Sequence, residues 1–319
     1  MFPRRLIALT FAGLVSALSA GDVVSTAVYA RVGNGYQRAR AKDGSFKPEY
    51  FALANGGRIG GTMWDNTVDR VSYREVATVA LQFLAQQNYH YAQTKGQAKL
   101  LLMLQWGNTI APNGTNYSLD VGAAGRAMAD LKALMQGSGM EKSLLDQSHG
   151  ADPMAQGDAA IIGDAKARME MALLQLITDN RLRDQINESN ARILGYRDDL
   201  AASSDIRRWA GGGDRYMDLI TDVEESRYYI VISAYDFRDL TERNKRTLLW
   251  QTRVSVRSPG NRFDDSFAAM LKGAAKYFGQ DSGRLIRGEE SKGTVELGDL
   301  KILGEAKEPA PSNQEEPKR

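Results

Sequence analysis

Two stretches of helical hydrophobic spacing stand out along the chain. Apolar residues recur every three or four positions after Ser72 and again after Pro259-Gly260, which predicts helices ending near Asn88 and Gly279. Ser72 and Glu75 form a capping box, in which a hydroxyl and a carboxylate satisfy the free amides of a helix start. The apolar positions expected to face a core are Val76, Val79, Ala80, Phe83 and Leu84 in the first helix and Phe263, Phe267, Met270, Leu271, Ala274 and Phe278 in the second.

Four other segments have the pattern of β-strands. Tyr50–Ala54 is a short candidate strand, and the continuous apolar run Leu100–Leu104 is typical of a central strand buried on both faces. Tyr228–Tyr235 is aromatic and β-branched. Thr247–Arg257 alternates between apolar and polar residues, which predicts one face on the core and the other in solvent. The last two segments predict an antiparallel hairpin joined by the polar connection Arg238–Arg246.

The region between these strands, residues 120–210, has helical periodicity. Ala127–Met135 predicts a short amphipathic helix. A much longer one is expected to start at the capping residue Asp158 and to end at Leu194 or Leu200. Its polar middle interrupts the apolar seam that a dimerising coiled coil needs, so packing within the chain is favoured.

These elements predict an α/β (α+β) fold, with a mixed sheet covered by two helices and a long helical insertion between the second and third strands. An isolated two-stranded unit is marginal, so residues 48–119 and 211–304 are expected to form a single α/β domain with 120–210 inserted. Residues 21–47 predict an irregular lead-in. The alternative is two sequential domains divided near residue 120 or 210. One shared domain requires Leu102 and Ile230 to lie in the same core.

Both ends of the chain have distinct compositions. Residues 1–20 combine a basic start, an apolar stretch shorter than the ~20 residues of a membrane span, and small residues, which predicts a signal peptide cleaved after Ser19 or Ala20. An uncleaved anchor is the alternative. At the other end, Gly298-Asp299 predicts a small hairpin, and residues 305–319 a disordered tail. The mature protein is therefore expected in a bacterial periplasm or secreted, with no stable membrane span after cleavage.

Charge and composition argue against several classes of function. Forty-one Lys and Arg against 39 Asp and Glu give +2, and Arg4 and Arg5 account for the excess, so the cleaved chain is neutral. A neutral chain has no global electrostatic attraction for nucleic acid. The absence of Cys excludes thiolate metal sites and cysteine nucleophiles, and two His make a multi-histidine metal centre improbable. We therefore expect no metal and no cofactor.

The order of the predicted strands and helices resembles that of a known group of protein domains. Together with the secretion signal, the strand Tyr228–Asp236 followed by Leu248-Leu249-Trp250 resembles secreted bacterial domains of unknown function, related in fold to the amino-terminal domain of TolB and to peptidoglycan-synthase activator lipoproteins. The resemblance covers residues 50–107 and 228–280. It implies a non-catalytic envelope protein that binds other envelope components, with no catalytic residues to transfer. The lack of cysteine departs from the lipid-anchored members.

One glycine-rich segment is a candidate ligand loop. Glycines at 56, 57, 60 and 61 let backbone amides point at an anion, and Trp64-Asp65 just beyond offers a ring and an acceptor for a sugar. No nucleotide-binding fingerprint accompanies them, so a flexible strand-to-helix connection is the competing interpretation. The residues proposed for this loop are Gly57, Gly60, Gly61, Trp64 and Asp65.

Adjacent carboxylates and a histidine are the other candidates for chemistry. The pairs are Asp198-Asp199, Glu224-Glu225 and Asp264-Asp265. A two-acid hydrolase needs its carboxylates across a cleft, whereas adjacent residues of a helix diverge, and acids in a first turn stabilise the helix. His90 has no orienting acid that the sequence identifies. No catalytic residue is assigned.

The leading hypothesis is an exported, non-catalytic envelope protein that binds a protein or cell-wall partner. One alternative is an extracytoplasmic hydrolase using paired carboxylates, which would require two acids with raised pKa values in one pocket. The other is a structural protein that self-assembles through the helical insertion. The sequence leaves the oligomeric state open.

Overall fold

A computed structural model describes residues 23–59, 62–112, 114–137, 153–204 and 213–292. The predicted signal peptide, the hairpin around Gly298-Asp299 and the tail lie outside these ranges. Within them, no helix combines the length and the apolar composition that crossing a membrane requires.

The strands form one mixed sheet, which confirms the predicted fold class. Seven strands lie in the order β4-β2-β5-β6-β7-β1-β8, and the short β3 pairs with β5 beside this path. The β2–β4 and β2–β5 pairs are parallel, whereas the other neighbours are antiparallel. The bounds are β1 Val23–Val32, β2 Glu49–Gly57, β3 Thr62–Met63, β4 Tyr89–Tyr91, β5 Leu100–Thr109, β6 Arg227–Asp236, β7 Leu248–Arg257 and β8 Ile286–Ser291.

Eight helices accompany these strands in the described ranges, and four of them lie between β5 and β6. The bounds are α1 Asn66–Asp69, α2 Tyr73–Gln86, α3 Gly114–Gly137, α4 Pro153–Leu194, α5 Arg197–Ser204, α6 Gly213–Glu224, α7 Phe237–Arg243 and α8 Phe263–Ala275. The capping box at Ser72 and Glu75 is present, and Asp264 and Asp265 lie in the first turn of α8. Asp158 lies inside α4, so it does not cap that helix as predicted.

The first face of the sheet is covered by α1, α2 and α8. Leu102 of β5 and Ile230 of β6 lie in the same buried cluster, together with Val79 of α2 and Met270 of α8. Apolar side chains at helical spacing exclude water from this face, as their pattern predicted. The two distant parts of the chain therefore share one core.

The second face is partly covered by the end of the insertion, so the polar face of β7 is only partly wet, as Ser255 is buried whereas Arg257 is exposed. Leu194 and Tyr196 pack with Tyr229 and Val231 of β6 in a second buried cluster. The Asn190 side chain donates to the carbonyls of Ile110 and Val223 at 2.7 and 2.9 Å, which fixes α4 to the segments before and after it. Alternation along β7 could not show that a helix returns to cover part of its polar face.

The predicted irregular lead-in is wrong for its first part, because Val23–Val32 form β1. This strand lies between β7 and β8, with Thr26 opposite Val256 on one side and Gly288 on the other. Sheet faces covered by helices on both sides do not require polar alternation, so its mixture of small and apolar residues gives no periodic signal.

Two further elements differ from the sequence-based prediction. The polar connection after β6 contains α7, whose Asp236 cap accepts a hydrogen bond from the Asp239 amide at 2.8 Å. The edge strand β8, which follows α8, was not predicted. Its charged and small residues carry no hydrophobic pattern, and it forms through backbone pairing with β1.

Two leucines of α4 test whether the end of the insertion is part of the core. Leu194 is 2% exposed and Leu174 is 63% exposed, so we expect Leu194→Ala to lower the free energy of unfolding by about 2 to 5 kcal/mol. The matched Leu174→Ala should change it by less than about 0.5 kcal/mol. Urea unfolding followed by circular dichroism measures both. Equal losses would contradict the packing of α4 on the sheet.

Candidate functional site

A cleft of about 320 Å³ opens on the second face, where β1 and β7 meet the corner between α4 and α5. Its floor comes from the strands and its wall from the helix corner. Four arginines line it: Arg31 of β1, Arg253 of β7, Arg192 of α4 and Arg197 of α5. We call this feature the arginine cleft.

The wall is shaped by a sharp end to α4 at Gly195. This residue has φ +86°, a left-handed conformation that glycine adopts without steric cost. A Cβ there would lie 2.7 Å from Tyr29 Cδ1 and 3.0 Å from Arg253 Cδ. The fully buried Tyr196 follows and anchors the corner. Glycine thus allows the helix corner to approach the side chains of the sheet closely.

Arg253 lies at the base of the cleft. It faces Tyr29 across the β1–β7 pair, on the side of β7 opposite the first core. Burial lowers the pKa of Arg253, and nearby Arg31 lowers it further, whereas Tyr29 and Asp198 act in the opposite direction. A guanidinium stays protonated in proteins despite such a shift. Its side chain makes no hydrogen bond and no ion pair within the part of the chain that the structure describes.

One carboxylate occupies the mouth of the cleft. Asp198 Oδ2 accepts hydrogen bonds from Tyr29 OH at 3.1 Å and from Arg31 Nη1. Burial and the hydrogen bond to Asp198 raise the pKa of Tyr29, so the phenol remains a donor at neutral pH. Asp198 therefore links the strand floor to α5.

The remaining two arginines lie at the rim and share a second carboxylate. Arg197 Nε lies 3.2 Å from Glu188 Oε1, and Arg192 Nη2 lies 3.8 Å from the same oxygen. Both side chains are about two-thirds exposed, at 65% and 67%, and remain accessible to a ligand. The arrangement concentrates cationic donors from two strands and two helices on one opening.

The predicted glycine-rich loop lies elsewhere, at the end of β2. Gly57 has φ +64°, and Gly60 and Gly61 lie outside the described residues. Trp64 is 82% exposed, with the Arg58 guanidinium 4.5 Å from its ring centre. A ligand role for this loop stays a prediction.

Asp65 of the same loop has a structural part in the fold. Its Oδ1 accepts from Thr67 N at 2.7 Å and from Thr67 Oγ1 at 2.6 Å, and its Oδ2 accepts from Tyr228 OH at 3.1 Å. Burial acts to raise the pKa of Asp65, but these hydrogen bonds outweigh it, and the pKa lies below its ordinary value. Both carboxylate oxygens are therefore occupied in capping α1 and tying it to β6.

Each of the six adjacent carboxylates forms an ion pair with an arginine. In two of the three acidic dipeptides the neighbouring acids bind different arginines, whereas Asp264 and Asp265 share one. The contacts are Asp198 with Arg31, Asp199 with Arg215, Glu224 with Arg183, Glu225 with Arg257, and both Asp264 and Asp265 with Arg262. In the described ranges, no group of three or more His, Asp or Glu side chains could hold a metal ion. His90 lies in the edge strand β4.

A carboxylate pair that the sequence did not suggest lies between α3 and α4. The hydrogen bond to Asp179, burial and repulsion between the two charges together raise the pKa of Asp120. Gln175 Nε2 donates to Asp179 Oδ1 at 3.1 Å. The pair belongs to a helix–helix contact and does not line the arginine cleft, so it gives no support to a two-acid hydrolase.

Sequence reasoning missed the cleft for a specific reason. Arg253 was predicted on a solvent face, where a cation needs no partner. Arg31 fell within the supposed lead-in, and Arg192 and Arg197 within a helix whose packing partner was unknown. The one available signal was Gly195, because a glycine between two helical stretches indicates a sharp helix end.

Two glycines of the insertion test the close approach at the corner. We expect Gly195→Ala to lose about 1 to 2 kcal/mol from the left-handed backbone alone, with a further loss from displacing Tyr29. Gly163→Ala, within α4 and with nothing near its added methyl group, should gain roughly 0.5 to 1 kcal/mol. Thermal unfolding of both variants measures the difference. A Gly195→Ala variant that unfolds at the same temperature as the wild type would contradict the close approach at the corner.

Asp120→Asn tests the raised pKa of Asp120 in the contact between α3 and α4. An acid whose pKa is raised by folding adds stability below its unfolded pKa near 4, and that stability is lost as pH rises through the folded pKa. At pH 7, Asp120→Asn should therefore melt at a higher temperature than the wild type, and this advantage should shrink or reverse at pH 4. The exposed Asp130→Asn on α3 is the control. A difference in melting temperature that does not change with pH would contradict the raised pKa of Asp120.

Comparison with known proteins assigns no family to this chain. No protein-family model matches it, and no curated protein matches it either. The chemistry of the arginine cleft is therefore the observation from which a function is proposed.

Proposed function

We propose that this protein is a non-catalytic binding protein that holds an anionic group of another molecule in the arginine cleft. The observation that carries the proposal is Arg253, a partly buried cation whose side chain has no hydrogen-bond partner among the described residues. Burying a charge is costly unless it is paired and hydrogen-bonded. A bound oxyanion would supply the missing partner.

The chemistry of the lining supports binding of an anion. Guanidinium groups present planar forks of N–H donors that match carboxylate and phosphate oxygens. Arg31 makes one contact with Asp198, and Arg197 makes one with Glu188, so each retains donors for a ligand. The carboxylate and the phenol that line the cleft, Asp198 and Tyr29, already bind each other. This pairing favours holding a ligand over transferring its protons.

The cellular setting is part of the same proposal. The signal-peptide pattern of residues 1–20 favours a bacterial periplasm or the exterior of the cell, and the resemblance to TolB-related and peptidoglycan-synthase activator domains suggests an envelope partner. Envelope proteins and cell-wall components carry carboxylates and phosphates, which are groups that the cleft would bind. A net charge of only +2 supports selective contact at this cleft over general attraction to nucleic acid.

Arg253→Gln tests this function. We expect inorganic phosphate, malonate or acetate to raise the melting temperature of the wild type, and the variant to lose about tenfold or more of the affinity for whichever anion binds. Hydrogen bonds to charged groups contribute about 1.5 to 3 kcal/mol. Without an anion, Arg253→Gln should be at least as stable as the wild type, because it removes a partly buried cation that has no partner among the described residues.

The matched control is Arg243→Gln, which alters an exposed arginine of α7 paired with Asp239. It should bind anions like the wild type. Wild type, Arg253→Gln and Arg243→Gln responding alike to all three anions would refute the proposed function.

A further inference from the structure

Resting on the proposed function, we infer that the anion held in the arginine cleft is a tetrahedral dianion of the phosphate-monoester type. Three observations carry this step: the charge balance of the cleft, the placement of its donors on two walls, and the carboxylate that it already contains.

The side chains of the cleft carry a net positive charge that two negative charges would neutralise. Arg31, Arg192, Arg197 and Arg253 contribute four positive charges, and Asp198 and Glu188 contribute two negative ones, so the net charge is 4 − 2 = +2. A phosphate monoester carries about −1.5 to −2 at pH 7. A single carboxylate would leave an excess positive charge in a partly desolvated cleft.

The donors reach the cleft from different directions. Arg31 and Arg253 rise from neighbouring strands, whereas Arg192 and Arg197 come from the helix corner around Gly195. A planar carboxylate is matched by one guanidinium fork in its own plane. The three terminal oxygens of a phosphoryl group point along separate directions and accept hydrogen bonds from both walls at once.

The carboxylate already present gives a direct comparison. Asp198 binds Tyr29 and Arg31, which is the arrangement expected for any singly charged carboxylate at this mouth. Even so, Arg253 lies behind it without a hydrogen bond or an ion pair to any residue that the structure describes. One carboxylate therefore does not satisfy the cleft, whereas a dianion bound next to Arg253 would.

The phosphoryl group could belong to free phosphate, to a phosphorylated polymer or to a lipid headgroup, since all offer the same oxygens. A cavity of about 320 Å³ is at the small end of ligand sites, so it accommodates the phosphoryl group and a short attached segment. The recognised chemistry is the dianion itself.

Calorimetric titration of the full chain with inorganic phosphate, sulfate, malonate and acetate tests the inference. At pH 7.5 we expect phosphate to bind at least tenfold more tightly than acetate or malonate, and Arg253→Gln to lose at least tenfold of that affinity. Arg243→Gln should retain it.

A pH series separates the ligand's charge from titration of the protein. Inorganic phosphate changes from a dianion to a monoanion as the pH falls through its second pKa, so its affinity should fall severalfold between pH 7.5 and pH 5.5. Sulfate remains a dianion over this range, and its affinity should stay constant within a factor of two. Phosphate affinity that does not change with pH would overturn the dianion inference.

The remaining outcomes distinguish this inference from the proposed function. Acetate or malonate binding as tightly as phosphate, with the same dependence on Arg253, would overturn the phosphoryl class and leave anion binding intact. No Arg253-dependent binding of any probe would overturn both. Vesicles of phosphatidylcholine with and without phosphatidic acid then identify the source, because Arg253-dependent sedimentation with phosphatidic acid alone indicates a lipid phosphate.

Discussion

The antiparallel pairing of β5 with β6 is the interaction on which the rest of the molecule depends. It runs from Leu100 opposite Asp236 to Asn108 opposite Tyr228, and so joins segments that are separated by four helices in the chain. This ladder merges the parallel strands before the insertion and the antiparallel strands after it into one sheet. Only such a sheet has faces wide enough for α2 and α8 on one side and the returning helices on the other.

Covering the second face also creates the candidate site. The end of α4 buries Leu194 and Tyr196 against β6, and Gly195 lets the corner lie close to Tyr29 and Arg253. Hydrophobic burial therefore brings helix arginines over strand arginines. The apolar contacts stabilise an arrangement whose charges are not balanced within the cleft, and this residual positive charge is the basis of the proposed binding.

The sequence predicts an element of the fold when the residues that specify the element lie close together in the chain. The capping box at Ser72 lies within four residues, and the continuous run at Leu100–Leu104 marks a central strand; both are found as predicted. The strand Val23–Val32 was not predicted, because a strand that is covered on both faces shows no alternation of polar and apolar residues. Thr247–Arg257 shows alternation, but the corner at Gly195, about 60 positions earlier in the chain, comes close to Arg253 on its polar face and leaves Arg257 exposed.

The sequence by itself determined the two helices α2 and α8, the capping box at Ser72 and Glu75, and a mixed sheet with helices between β5 and β6, because periodicity and capping are properties of neighbouring residues. The tertiary structure alone decided that α4 returns to the sheet and that Arg31, Arg192, Arg197 and Arg253 share one cleft. Whether a polar side chain meets water or another charge depends on which distant segment covers it. That contact is created by folding, and no short stretch of sequence encodes it.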